Sequence, residues 1–188
     1  TDLIVGNADA IEIDTDSTVI INGNTTITTT GDEISAILGT GDRNSAILDG
    51  GAIATSGAFG NGIYFFGGDA NTITINSGSI VTTGDSSIAA PVESAFLDSS
   101  ASIQMNGGEI RTEGEFSLGL ATQATDATIN VSGGTIQTAG DNSEAVIAFA
   151  FDYDSQATVT ISGGTIETTG ENSNAVEAVG NNRGGSAT

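Results

Sequence analysis

Apolar and polar residues alternate in short runs along this chain, and the runs recur with a fixed internal order. From Ala157 to Ala178, Thr158–Ile161 alternates, Thr165–Thr168 alternates, and Ala175–Ala178 ends on the apolar pair Val176 and Ala178. Ser162-Gly163-Gly164 and Gly170-Glu171-Asn172-Ser173 separate these pieces, and both are turn chemistry. The same module stands at Ala127–Ala148. Its middle piece carries Ile27, Ile53, Ile80, Ile110, Ile136 and Ile166, separated by 26, 27, 30, 26 and 30 residues. Two residues after each Ile stands a Thr (Thr29, Thr55, Thr82, Thr112, Thr138, Thr168), and two further on a Gly (Gly31, Gly57, Gly84, Gly114, Gly140, Gly170). The repeat is unmistakable.

Because residues two apart in a strand share a face, each Ile points inward with its Thr. The preceding piece supplies inward pairs at Ile73/Ile75, Ile103/Met105, Ile129/Val131 and Val159/Ile161, with polar residues between them. A third apolar piece follows the second turn, as in Ile63–Phe65 and Val146–Ala148. A module of this size cannot bury its apolar face alone and must stack on its neighbours. The pattern predicts an all-β chain, a right-handed parallel β-helix of about six rungs of 26–30 residues with three strands per rung. Residues 1–16 read as a partial rung or lead-in segment, with one strand at Ala10–Ile13, and 17–188 as one continuous domain. A propeller blade needs about 40 residues or more. A helical repeat does not fit a period of two.

Composition narrows the function. Three Arg face 24 acids, for a net charge of −21, and the chain has no Lys, His, Cys or Trp. Nucleic-acid binding needs cations against phosphate, so it is not expected. No apolar run is long enough for a membrane-spanning helix. The apolar 37% is periodic, which argues for order despite the charge. The beginning at Thr-Asp-Leu reads as a processed chain or a piece of something longer.

The motif S-G-G-T-I-x-T-x-G-[DE]-N-S-x-A-V, at 132–146 and 162–176, resembles the repeats of autotransporter passenger domains, the pertactin-like β-helical adhesins of Gram-negative bacteria. The resemblance covers roughly 17–178. It implies export across both membranes, display as a rod at the cell surface, and adhesion or self-association as the task.

Two sets of side chains stand out as candidate chemistry. Asp85, Glu115, Asp141 and Glu171 each follow the repeated Gly, as Asp32 does, and Asp69, Asp98, Asp126 and Asp154 form a second acidic column. Stacked carboxylates are either calcium ligands or solvated turn residues that keep the rod soluble. The calcium-binding nonapeptide and EF-hand loops are absent. The aromatics cluster in and beside the third strand. With Val146 and Ala148 inward, Phe149 and Phe151 point outward, as do Tyr64 and Phe66, and Tyr153 follows. Such a stripe would stack on sugar rings or pack against another protein; alternatively, a slip in phase would place the rings in the core.

An enzyme is not expected. Without His or Cys there is no common nucleophile–base pair. Glu109 and Glu113 lie about 13 Å apart along one strand, wider than a glycosidase pair. The expected role is a non-enzymatic adhesin or stalk segment on a Gram-negative cell surface. Its partner would be a host or neighbouring-cell glycan or protein, or a second copy. A polysaccharide-active β-helix enzyme and an end-to-end filament module are the alternatives.

Overall fold

The Ile and Thr columns run through the molecule as stacked ladders. In the computed structural model the six Ile pair in register from rung to rung, and the six Thr pair beside them. The structure describes residues 2–94, 96–151 and 154–180, and the backbone of 186–187. Among these residues the chain is all β, without a helix, and coils as a parallel β-helix.

Each turn of the coil contributes strands to two sheets. β1 (Asp2–Val5) and β2 (Ile11–Asp14) make the first turn, β3 (Thr18–Thr29) and β4 (Ile37–Thr40) the second, and β5 (Ser45–Thr55) and β6 (Ile63–Phe66) the third. β7 (Asn71–Thr82) and β8 (Ile88–Glu93) make the fourth, and β9 (Ser100–Met105), β10 (Glu109–Thr112) and β11 (Leu118–Ala124) the fifth. The sixth is β12 (Asp126–Val131), β13 (Thr135–Thr138) and β14 (Val146–Ala150); the seventh is β15 (Gln156–Ile161), β16 (Thr165–Thr168) and β17 (Val176–Gly180). β18 (Ser186–Ala187) pairs with β15. Sheet B is β2, β4, β6, β8, β11, β14 and β17, in that spatial order, and sheet A holds the remaining eleven strands.

Two expectations are refined. There are seven turns rather than six, because residues 2–14 already supply two strands. Leu3 and Val5 of β1 lie beside Ile27 and Thr29, and Ile11 and Ile13 of β2 beside Ile37 and Gly39. The columns thus begin without the Ile-x-Thr-x-Gly signature. Three separate strands per turn hold only from the fifth turn onward. In β3 and β5 the backbone goes on pairing across the corner, at Asn22–Asp49 and Gly23–Gly50, so two segments fuse into one long strand.

The inner faces explain the residue choices. Ile27, Ile53, Ile80, Ile110 and Ile136 are buried, as are Ile73/Ile75, Ile103/Met105 and Ile129/Val131. In the seventh turn, at the edge of the described stack, Ile161 is exposed and Val159 only partly buried. Burial stabilises by roughly 1.5–3 kcal/mol per large aliphatic side chain, so these ladders supply the main driving force. Phe65 is accommodated because Gly39, its register partner, leaves the space its ring fills.

The repeated Gly has a steric origin. A methyl group on Gly57, Gly84, Gly114, Gly140 or Gly170 would overlap the carbonyl oxygen of the equivalent Gly one turn earlier. Backbones there approach too closely for any side chain. A buried Ser ladder ties the same turns together. Ser117 Oγ donates to the Gly84 carbonyl (3.1 Å) and accepts from the Ser87 N–H (3.2 Å). Ser143 Oγ does the same with Gly114 (3.2 Å) and Ser117 (3.0 Å).

Candidate functional site: the outer face of sheet B

In sheet B two consecutive inward residues stand at or next to the strand start, at Ala36/Ile37, Gly62/Ile63, Ala89/Ala90, Gly119/Leu120 and Ala145/Val146. A Cβ on Gly119 would meet the core side chain of Ile136, and Leu120 is itself buried. The residue before them is thereby turned out: Ile88 in β8 and Leu118 in β11. Further along, outward positions alternate. Tyr64, Pro91, Ala121 and Ile147 make one column and Phe66, Glu93, Gln123 and Phe149 the next, in register. One such step is about 4.8 Å, so Phe66 and Phe149 stand about 14 Å apart along the axis.

Beside Phe149 lies a valley floored by the small residue Ala121. It is a groove of about 260 Å³, lined by Ile88, Leu118, Ala121, Ile147 and Phe149, with Glu93, Thr122 and Gln123 as its polar members. Phe66 is 54% exposed and Phe149 37%. Tyr64 is half-buried and its ring meets Phe66 at 5.9 Å, tilted by 56°. Phe151 is half-buried as well, and Tyr153 lies outside the described residues. Phe96 and Leu97, in the turn after β8, extend the exposed apolar surface beyond the strand ends.

Glu93 is the charged group in this groove. Tyr64 Oη donates to its Oε2 at 3.2 Å. Burial pushes the Glu93 carboxyl above the usual carboxylate range, and the Tyr64 hydrogen bond offsets part of that. Burial first, then the neighbouring Glu93 charge, pushes the Tyr64 phenol up in turn.

A further pair belongs to the same side of the molecule. Phe59 and Phe116 sit in the turn that precedes each sheet B strand, with φ of 56° and 55°. Asn142 and Asn172 hold the equivalent positions in the later turns, at 54°. Asn tolerates left-handed backbone, whereas a bulky side chain there is strained, by about 1–2 kcal/mol. Both rings are nonetheless more than half exposed, at 56% and 58%.

The acidic columns do a different job. Asp32 Oδ1 accepts the Ala58 N–H (2.9 Å), Asp85 Oδ1 that of Glu115 (2.9 Å), and Asp141 Oδ1 that of Glu171 (2.7 Å). Each carboxylate bridges one turn to the next through the backbone. Asp69 does likewise in the second column, accepting from Ser100 N–H at 2.8 Å. Among the described residues no three acidic side chains converge as a metal site would require. Arg111 pairs with Glu113, not with Glu109.

Ile88 and Leu118 are the groove residues that reading strands by simple alternation misses. The signal was present at one position. Where Ser143 and Ser173 are followed by Glu144 and Asn174, Ser87 and Ser117 are followed by Ile88 and Leu118. No family model, characterised protein or solved structure matches this chain.

Proposed function

We propose that this chain is a non-enzymatic adhesin or stalk segment displayed on a Gram-negative bacterial surface, and that it docks its partner through the outer face of sheet B. The observation that carries the reading is the apolar groove walled by Ile88, Leu118, Ile147 and Phe149, with the exposed Phe66 one rung beyond Glu93 and exposed aromatics at the neighbouring turns. Soluble monomers rarely expose contiguous apolar surface of this kind without a partner for it. The core does not need these side chains, since the inner faces are filled without them. The resemblance to autotransporter passenger domains adds the setting: a rod outside the cell, where many weak contacts sum through multivalency.

The test is attachment. Beads coated with the chain, or with its Phe66→Ser/Phe149→Ser variant, are compared for adhesion to host-cell monolayers and to one another. Adhesion should fall sharply in the variant while its melting temperature stays within a few degrees. Equal adhesion of the two would remove the sheet B face from the account.

A further inference from the structure

Glu93 is out of place on an apolar face. It is half-buried, in register with Phe66 on one side and Gln123 on the other, and its recorded hydrogen-bond donor is the neutral Tyr64. Among the described residues no cation reaches it: Arg43 pairs with Asp16 and Asp42, and Arg111 with Glu113. A partly desolvated carboxylate with one neutral partner is costly, and the acidic columns avoid that cost by staying exposed and taking backbone N–H groups. Gln123, one rung along, shows that an uncharged residue fits the same column. The fold therefore gives no reason for a charge at this spot.

Resting on the reading of sheet B as the docking face, the geometry points to a cationic, apolar-flanked segment of a partner protein as its occupant. The guanidinium or ammonium head of an Arg or Lys would pair with Glu93, and Ile88, Leu118 and Phe149 would cover the flanking apolar side chains. The Phe66 ring one rung away offers a face on which a guanidinium can also rest. The net charge of −21 favours such a partner at long range, steering cations toward the molecule. A second copy is a poor source of the cation, because the chain has only three Arg and both described ones are already paired.

The test uses the whole chain, isotopically labelled, titrated with the blocked peptide Leu-Phe-Arg-Leu. A copy carrying citrulline in place of Arg and the neutral sugar cellohexaose are the comparison ligands. The Arg peptide should shift the amides of Glu93 and Gln123 and bind about tenfold or more tightly than the citrulline peptide. Glu93→Gln should erase that difference, and Leu118→Ser should weaken both peptides. Three results would overturn the assignment: equal binding of the two peptides, an unchanged preference in Glu93→Gln, or no binding of the Arg peptide at millimolar concentration. Cellohexaose binding in place of the peptides would identify a sugar platform instead. These outcomes concern the cation and are separate from the adhesion assay, which tests the docking face itself.

Discussion

The two sheets are alike inside and different outside. Both line their inner faces with Ile, Val, Leu and Ala, and both repeat at the same rung spacing. Outside, sheet A from β7 onward presents Thr72, Thr74, Ser102, Gln104, Thr128 and Asn130, then Glu109, Arg111, Gln137 and Glu167. Before β8 its outward apolar residues include Ile20 and Ile47, which are register neighbours, and Val81, which stands between Ala54 and Arg111. Sheet B presents Ile88, Leu118, Ile147 and Phe149 around one groove, with Tyr64 and Phe66 further along the same face and a second, more polar groove at Glu12, Asp14, Leu38 and Thr40. Stacking dictates the inner residues, because each rung must match the next. It leaves the outer ones free, so their chemistry reports what they meet. From β7 onward the outer face of sheet A is mainly polar, whereas that of sheet B carries an apolar groove.

The largest expected effect separates inside from outside. Ile110→Ala opens a cavity beneath fully packed neighbours and should cost about 2–5 kcal/mol by urea denaturation. Phe149→Ser should stay within about 0.5 kcal/mol, as surface substitutions usually do. A comparable loss in both would mean that the outer face is part of the core. Thr112→Val sharpens the inside of the comparison: the Thr112 hydroxyl is buried without a hydrogen-bond partner, whereas Thr138 Oγ1 donates to the Ser143 carbonyl at 3.2 Å. Removing the orphaned hydroxyl should raise stability by about 1–2 kcal/mol, and Thr138→Val should not.

Outside, Phe59→Asn and Phe116→Asn should each raise stability by about 1 kcal/mol by relieving left-handed strain, while weakening adhesion. Gains in stability without loss of adhesion would limit the docking face to the strands. Glu93 adds a pH signature. Its folded-state pKa lies above the unfolded value, so its penalty is absent below the unfolded pKa, grows as pH rises through the window between the two, and is complete above the folded one. Wild type should gain on Glu93→Gln as pH is lowered toward the ordinary carboxyl range, seen as converging urea midpoints. A constant gap from pH 4 to 8 would contradict this. The smallest effect is calcium: with Asp85 and Asp141 accepting backbone N–H groups, millimolar calcium should leave the melting temperature unchanged. A clear rise would restore the acidic columns as sites.

How much of this was legible depends on what makes a residue recur. Ile, Thr and Gly recur because a mismatched rung loses packing, or because a methyl group strikes a carbonyl, so the repeat and the fold could be read directly. Leu3 and Val5 were hidden because they substitute for Ile and Thr without the flanking Gly. The outward setting of Phe66 and Phe149 followed from alternation. Ile88 and Leu118 did not, because the two successive inward residues that follow them, Ala89/Ala90 and Gly119/Leu120, break the alternation. Glu93 was one acid among 24, and only its burial beside Tyr64 sets it apart. The acidic columns read as calcium ligands or solvated turn residues, and the backbone N–H groups that Asp32, Asp69, Asp85 and Asp141 accept could be seen only in three dimensions.

The chain has no Cys, so a single introduced thiol can carry a bulky label to a chosen face. Gln123→Cys places it in the sheet B groove and Thr128→Cys on the outer face of sheet A. Adhesion of the two labelled proteins to the same cell monolayer is the most direct measurement. The account predicts that the label at position 123 blocks attachment and the label at position 128 leaves it intact. Attachment lost only from position 128, or untouched by either label, would contradict it.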